Sequence, residues 1–116
     1  ILNHTGLPAD RSVEGIASWK RAMATFAACP NVAVKISGIG QSAAPWTIAA
    51  NRDIVRTVID LFGVERCMFA SNFPVDSLCA TFRTIFDGFR EIVRDFSADA
   101  QRALFRDNAM RIYAIP

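Results

Sequence analysis

This chain of 116 residues has few of the features that would mark it as a stapled, membrane-spanning or nucleic-acid-binding protein. Cys29, Cys67 and Cys79 are odd in number and show no Cys-x-x-Cys spacing. Such a set reads as reduced, mostly buried thiols of a cytoplasmic protein, and it argues against a structural zinc site. No apolar run reaches the ~18 residues that a membrane span needs. The opening stretch "ILNHTGLP" lacks the charged and apolar regions of a signal peptide. There are no charge runs: 13 basic and 11 acidic residues are interspersed along helical segments for a net +2. That leaves no footprint for nucleic acid or an acidic membrane. Neither a G-x-G-x-x-G pattern nor a P-loop lysine occurs.

Apolar residues, by contrast, are plentiful. They make up 52% of the chain and the mean hydropathy is +0.22, against about 45–50% apolar residues in ordinary soluble domains. Disorder is excluded on the same grounds. The excess points to positions buried on both faces, as in a parallel sheet. Three short segments read as strands, at 1–4, 32–37 and 67–71, with a helical pattern in each gap. Alternation at this spacing predicts βαβ units and a parallel α/β fold.

The first helix is predicted from Ser12, as N-cap, to Cys29, with Ile16, Trp19, Met23 and Phe26 on one side. Asn51 is placed as the cap of the second, whose stripe is Ile54, Val55, Val58, Ile59 and Phe62 and whose stop is Gly63. A third is expected from Ser77 to about Phe96, burying Leu78, Phe82, Ile85, Phe86, Phe89, Ile92, Val93 and Phe96. Ser97 then caps a short helix to Phe105, followed by a turn near Asn108 and a docked tail. The loop 38–47, "GIGQSAAPWT", reads as mobile, with Trp46 as an apolar lid over a site.

In parallel α/β folds ligands bind beyond the carboxyl ends of the strands, where loops and helix N-termini converge. The residues falling there are Asn3, His4 and Thr5; Lys35, Ser37 and Gly38; and Ser71, Asn72 and Asp76. Each has a plainer reading beside the functional one. His4, the single histidine, is either a satisfied structural residue or a ligand. Lys35 alternates with Val34 and Ile36, so it either meets a partner on the second sheet face or snorkels to the rim. Asn72 also suits a turn before Pro74. For Asp76, a helix-start acid favoured by the dipole is the leading reading.

Four stretches in order carry a family resemblance. "NHTGLP" is similar to Asp-His-x-Gly-x-Pro, and "PNVAVKISG" to Pro-Asn-Val-x-Val-Lys-x-Ser-Gly. "FGVERCMFASNFPVD" is similar to Phe-Gly-x-x-Arg-x-Met-(Phe/Trp)-Gly-Ser-Asp-(Trp/Phe)-Pro-Val, and "LFRDNAMRIYAI" to a closing Asn-Ala-x-x-x-Tyr. The chain resembles amidohydrolase-related hydrolases, in particular the sugar-lactone and dicarboxylate-lactone hydrolases. The resemblance implies a (β/α)₈ TIM barrel of which residues 1–116 are the C-terminal part, the last three βα units. A complete barrel takes ~250 residues, so the first-strand His-x-His motif and the middle-strand ligands lie outside this stretch.

By the same resemblance, His4 is the candidate ligand of a divalent, zinc-like metal. Asn72 stands where the family carries the aspartate that handles the attacking water. A carboxamide is uncharged and is a poorer ligand for a hard dication, so this departure and the absent N-terminal ligands argue against a strong metal site. Lys35 is the candidate for offsetting oxyanion charge, Asp76 is the nearest carboxylate, and Ser71 and Trp46 are candidate substrate contacts. The implied activity is hydrolysis of a small lactone or related carbonyl by the whole protein, with this segment alone inactive. Its open edges predict self-association or pairing with the rest of a barrel. Two alternatives remain at this point: a non-catalytic βα fragment, and a small-molecule-binding module.

Overall fold

The computed structural model describes residues 1–116. Two strands, β1 (Val34–Ile36) and β2 (Cys67–Phe69), pair in parallel with Val34, Lys35 and Ile36 opposite Cys67, Met68 and Phe69. Leu2 extends this ladder on the far side of β1 by a single parallel bridge to Val34. Its N–H reaches Ala33 O at 2.8 Å, and its carbonyl takes the Lys35 N–H at 2.9 Å. The three segments therefore run side by side in one direction, in chain order, and each crossover is helical. This is a parallel α/β arrangement.

The strands are shorter than the sequence predicts. The first stops at the bridge because the backbone turns left-handed from His4 to Leu7, with φ of 52°, 56°, 67° and 52°. That conformation is unfavourable for three of these four residues and cannot continue a ladder.

Helix α1 (Val13–Ala27) starts where expected: Ser12 Oγ accepts the Gly15 N–H at 3.0 Å. Trp19 and Met23 are buried, but Phe26 stays 46% exposed. Periodicity states which residues share a face, not how far the neighbouring layer extends along it. Helix α2 (Ile48–Phe62) is capped by Thr47, whose Oγ1 accepts from Ala50 N–H at 3.2 Å, and not by Asn51. Asn51 lies one turn inside and is buried, with its Nδ2 donating to Thr47 O at 3.1 Å. The predicted stripe of α2 is buried throughout, and Gly63 ends it with φ 79°.

Helix α3 (Phe82–Ile92) is shorter than the predicted element at both ends. Thr81 caps it, accepting from Thr84 N–H at 3.0 Å. Ser77 instead belongs to a separate turn, Val75–Leu78, and donates its hydroxyl to Pro74 O at 2.6 Å. Leu78 and Phe82 are consequently 85% and 52% exposed. Ser97 caps α4 (Ala98–Arg102) as expected, and a wider π turn, Ala103–Asp107, leads into α5 (Asn108–Ile112).

The helices cover one sheet face. Phe69 stacks on Phe89 at 4.4 Å and tilts against Phe105 at 4.7 Å, while the Cys67 thiol lies 3.9 Å from Val58 O. Lys35 and Met68, the alternate pair in the register, lie on the other face. A fully buried side chain such as Phe89 contributes about 1.5–3 kcal/mol. Two arginines close the ends of the layer. Arg66 donates to Phe62 O, Ala27 O, Cys29 O and Val32 O at 2.9–3.3 Å, satisfying carbonyls that the ends of α1 and α2 leave free. Arg11 ties two loops to the start of α2 at the opposite end, donating to Pro8 O, Ile39 O and Ala50 O. No helix is long and apolar enough to cross a membrane.

Candidate active site

The polar residues beyond the three strand ends gather into two clusters joined by a short piece of loop. The first is built on His4. Its left-handed backbone aims the ring so that Nδ1 lies 3.2 Å from Ser37 Oγ, just past β1. Thr5 locks this turn in place: its hydroxyl donates to Ser37 O at 2.9 Å and accepts the Ser37 N–H at 3.1 Å. A threonine side chain thus continues the sheet where the backbone has turned away. Trp19 Nε1 adds a third tie, donating to Thr5 O at 2.9 Å. Gly38 faces the imidazole so closely that a Cβ there would lie 2.9 Å from His4 Nδ1. Its φ of 61° also suits glycine.

The second cluster follows β2. Ser71 Oγ accepts the Phe73 N–H at 3.1 Å, forming the turn that ends the strand. Asn72 has φ 56°, and its Nδ2 donates to Asp76 Oδ1 at 2.8 Å. Asp76 is buried, 6% exposed, with no cation against it: its partner is an amide. The expected helix-start role for Asp76 is therefore replaced by a turn residue tied to Asn72, because α3 begins only at Phe82.

Loop 38–47 connects the clusters. Gly38 abuts His4, and a Cβ on Gly40 would lie 3.0 Å from Cys79 Sγ and 3.5 Å from Asp76 Oδ2. The Cys79 thiol donates to Gln41 O at 3.2 Å, and Trp46 N–H reaches Cys79 O at 3.5 Å. The loop is thus tied down along its length. Trp46 does not act as an open lid. It is 5% exposed and meets Phe89 edge-on at 5.6 Å, with its benzo ring over Gly88. Its Nε1 is buried without a partner.

Lys35 sits on the sheet face opposite the helices, beside Met68, which is itself buried. Lys35 is half-buried and forms no ion pair. The structure therefore brings His4 to Ser37 and Asn72 to Asp76, places Lys35 and Ser71 on the same three parallel segments, and sends Trp46 into the core. Sequence reasoning marked Thr5 only by its place after the first strand, without its bonds to Ser37, and it missed Arg11. Arg11 is partly buried without a carboxylate paired to it, and that burial holds its pKa below the usual arginine value. Burial likewise pushes the Cys67 thiol up to about 12, marking it as an inert core residue.

A family-implied metal does not fit this donor set. No three His, Cys, Asp or Glu side chains come together anywhere in the chain. The one imidazole is held through Nδ1 by a serine, and the one nearby carboxylate is engaged by an amide. A divalent ion needs more negative or imidazole donors than these residues supply.

Parallel strands joined by helices, with hydrogen-bonding side chains beyond their carboxyl ends, define a parallel α/β unit with its polar groups gathered at one edge. The comparisons with known proteins agree. The amidohydrolase family model matches residues 1–115. The chain is 45% identical over 115 residues to the uncharacterized protein y4mH of Sinorhizobium fredii (strain NBRC 101917 / NGR234), covering 99% of this chain and 38% of that one. It is 31% identical over 128 residues to the L-fucono-1,5-lactonase of Burkholderia multivorans (strain ATCC 17616 / 249), covering 100% of this chain and 43% of that one. A crystal structure of a Burkholderia multivorans amidohydrolase with bound Zn superposes with a TM-score of 0.88 at 29% identity, over 99% of this chain and 43% of that one. This chain belongs to the amidohydrolase family. It spans about two fifths of the length of the curated relatives it matches.

Proposed function

We propose that residues 1–116 are the last three βα units of a (β/α)₈ barrel that hydrolyses a small lactone, with the substrate carbonyl held over the ends of these strands. The observation that carries the reading is the convergence of the His4–Ser37 and Asn72–Asp76 pairs beyond parallel strands, linked by loop 38–41. Likeness to a lactonase over the whole chain supports it. Without the remaining strands the segment has no closed lumen, and it is inactive alone.

The chemistry assigned to these residues is modest. Water adds to the lactone carbonyl, and charge develops on the carbonyl oxygen. The Lys35 ammonium, on the sheet face opposite the helices, offsets that charge. The carbonyl–ring-oxygen bond then breaks, and the departing alkoxide takes up a proton to give the hydroxy acid. His4, steadied through Nδ1 by Ser37, takes the proton of the attacking water on Nε2 and gives it to the departing alkoxide. Asn72 holds the water or a substrate hydroxyl, and Ser71 shapes the turn beside it. No step runs through a metal.

The test is a chimaera. This chain replaces the matching segment of the Burkholderia multivorans L-fucono-1,5-lactonase, and hydrolysis of that lactone is followed. Retained turnover that falls ~10²-fold in Lys35→Met is the expected result, on the scale of one lost oxyanion contact. A folded chimaera without turnover, or with turnover indifferent to Lys35, removes the reading. The same assay on the 116-residue chain alone is expected to match a heat-inactivated control.

A further inference from the structure

We propose that Asp76 is a positioning residue whose carboxylate fixes the Asn72 carboxamide with Nδ2 turned inward, so that the rim receives Oδ1, an uncharged hydrogen-bond acceptor. This deepens the lactonase reading and rests on it for its functional meaning.

An ionised carboxylate only accepts hydrogen bonds, whereas an amide has a donor end and an acceptor end. With Asp76 Oδ1 at 2.8 Å, the group facing it has to be Nδ2, in a charge-assisted bond. The reversed amide would set two oxygen acceptors against each other at that distance. The backbone of Asp76 is fixed in this turn. Its N–H donates to Asn72 O at 3.0 Å, and its carbonyl accepts from the N–H groups of Cys79 and Ala80 at 3.0 and 3.1 Å. Gly40 lies beside it, at a distance where a Cβ would make ordinary contact with Oδ2, 3.5 Å away. The left-handed backbone at residue 72 is one that asparagine tolerates. Asn72 Oδ1 makes no hydrogen bond within the chain, and it is not among the buried atoms lacking a partner, so it reaches solvent.

The negative charge at this strand end is thus withdrawn one turn behind the residue that faces the ligand. Position 72 accepts a hydrogen bond but takes no proton and repels no anion. The ligand group that suits it is an O–H donor, either the attacking water or the hydroxyl of a polyhydroxylated lactone.

Nuclear magnetic resonance on the ¹⁵N-labelled 116-residue chain tests the orientation without any need for turnover. One Asn72 Hδ2 proton should show a nuclear Overhauser effect to Asp76 Hβ and exchange with water more slowly than the carboxamide protons of exposed Asn31. Absence of that contact, with exchange as fast as Asn31, overturns the proposal. A charge swap gives a second readout. Asn72→Asp sets two carboxylates together and should lower the melting temperature by about 5 °C. The double variant Asn72→Asp/Asp76→Asn restores one donor facing one acceptor and should recover most of the loss, a rescue that mere packing at either site would not give. Additive losses in the double variant count against the pair. A chain that shows the contact while the chimaera hydrolyses nothing keeps the pair and removes the lactonase reading; turnover without the contact does the reverse.

Discussion

Gly88 lies flat against the indole of Trp46, so close that a Cβ on the glycine would fall 2.2 Å from Cζ3 and 2.5 Å from Cη2. In an exposed helix interior, Gly→Ala gains about 0.5–1 kcal/mol. Here the sign reverses, because the ring is buried and cannot retreat. Gly88→Ala in α3 is expected to destabilise the chain by about 1–3 kcal/mol, measured by urea unfolding. In a Trp46→Leu background the same change should lose most of its penalty. Equal losses in both backgrounds would show that the contact is not the cause.

Arg66 gathers four carbonyls from the ends of two helices and the loop after α1. No aspartate or glutamate pairs with it, and its guanidinium also lies over the Phe62 ring at 5.2 Å. A lysine has no planar fork with which to reach several acceptors. Arg66→Lys should therefore cost about 1–3 kcal/mol by thermal denaturation, close to the loss in Arg66→Ala. Full retention of stability in the lysine variant would reduce Arg66 to a point charge.

The Cys67 thiol, between β2 and Val58, gives the chain an alkaline limit. Its pKa is raised from the ordinary 9.0 to about 12, chiefly by burial. A raised folded value means that the unfolded chain loses this proton first. Stability is therefore fully present below pH 9 and is lost as pH rises from 9 towards 12. Cys67→Ala removes this contribution, so its stability curve should fall less steeply over that window than the parent's. Parallel curves for the two proteins would contradict the assignment.

Association is expected through the open side of the molecule. Phe73, Val75, Leu78 and Phe82 lie exposed together after β2, and Phe73 meets Phe82 edge-on at 5.6 Å. The strand β2 itself is covered, with Cys67, Met68 and Phe69 buried and Asn108 Nδ2 reaching Cys67 O at 2.8 Å. An exposed apolar patch of this kind invites association. Sedimentation over a range of concentrations should show a monomer–oligomer equilibrium that shifts towards monomer in Leu78→Glu. A clean monomer at every concentration would rule this out.

Where local chemistry sufficed, the sequence was a good guide. Ser12 and Ser97 cap their helices as read, Gly63 terminates α2, and the α2 stripe is buried residue for residue. The site was legible as a set of positions and not as a set of partnerships. His4, Ser37, Asn72 and Asp76 could be marked from strand ends alone, but nothing in their spacing says that the histidine meets the serine or that the asparagine holds the aspartate. Asn51 shows the limit most clearly. Asparagine suits a cap, yet Thr47 takes that role and Asn51 is buried against Arg11, forty residues away in sequence.

The amino-acid order by itself determined the alternation of helix and strand, the sidedness of each helix, and which polar groups would be delivered to the carboxyl ends of parallel strands. Those depend on periodicity and on backbone groups a few residues apart, so they are written locally. Tertiary structure alone decided that Trp46 would fill the core, that Thr5 would replace a missing strand, and that the charge of Asp76 would sit behind an amide. Each of these needs side chains from separate segments to compete for one small volume and for one another's donors and acceptors, and that competition exists only once the chain has closed on itself.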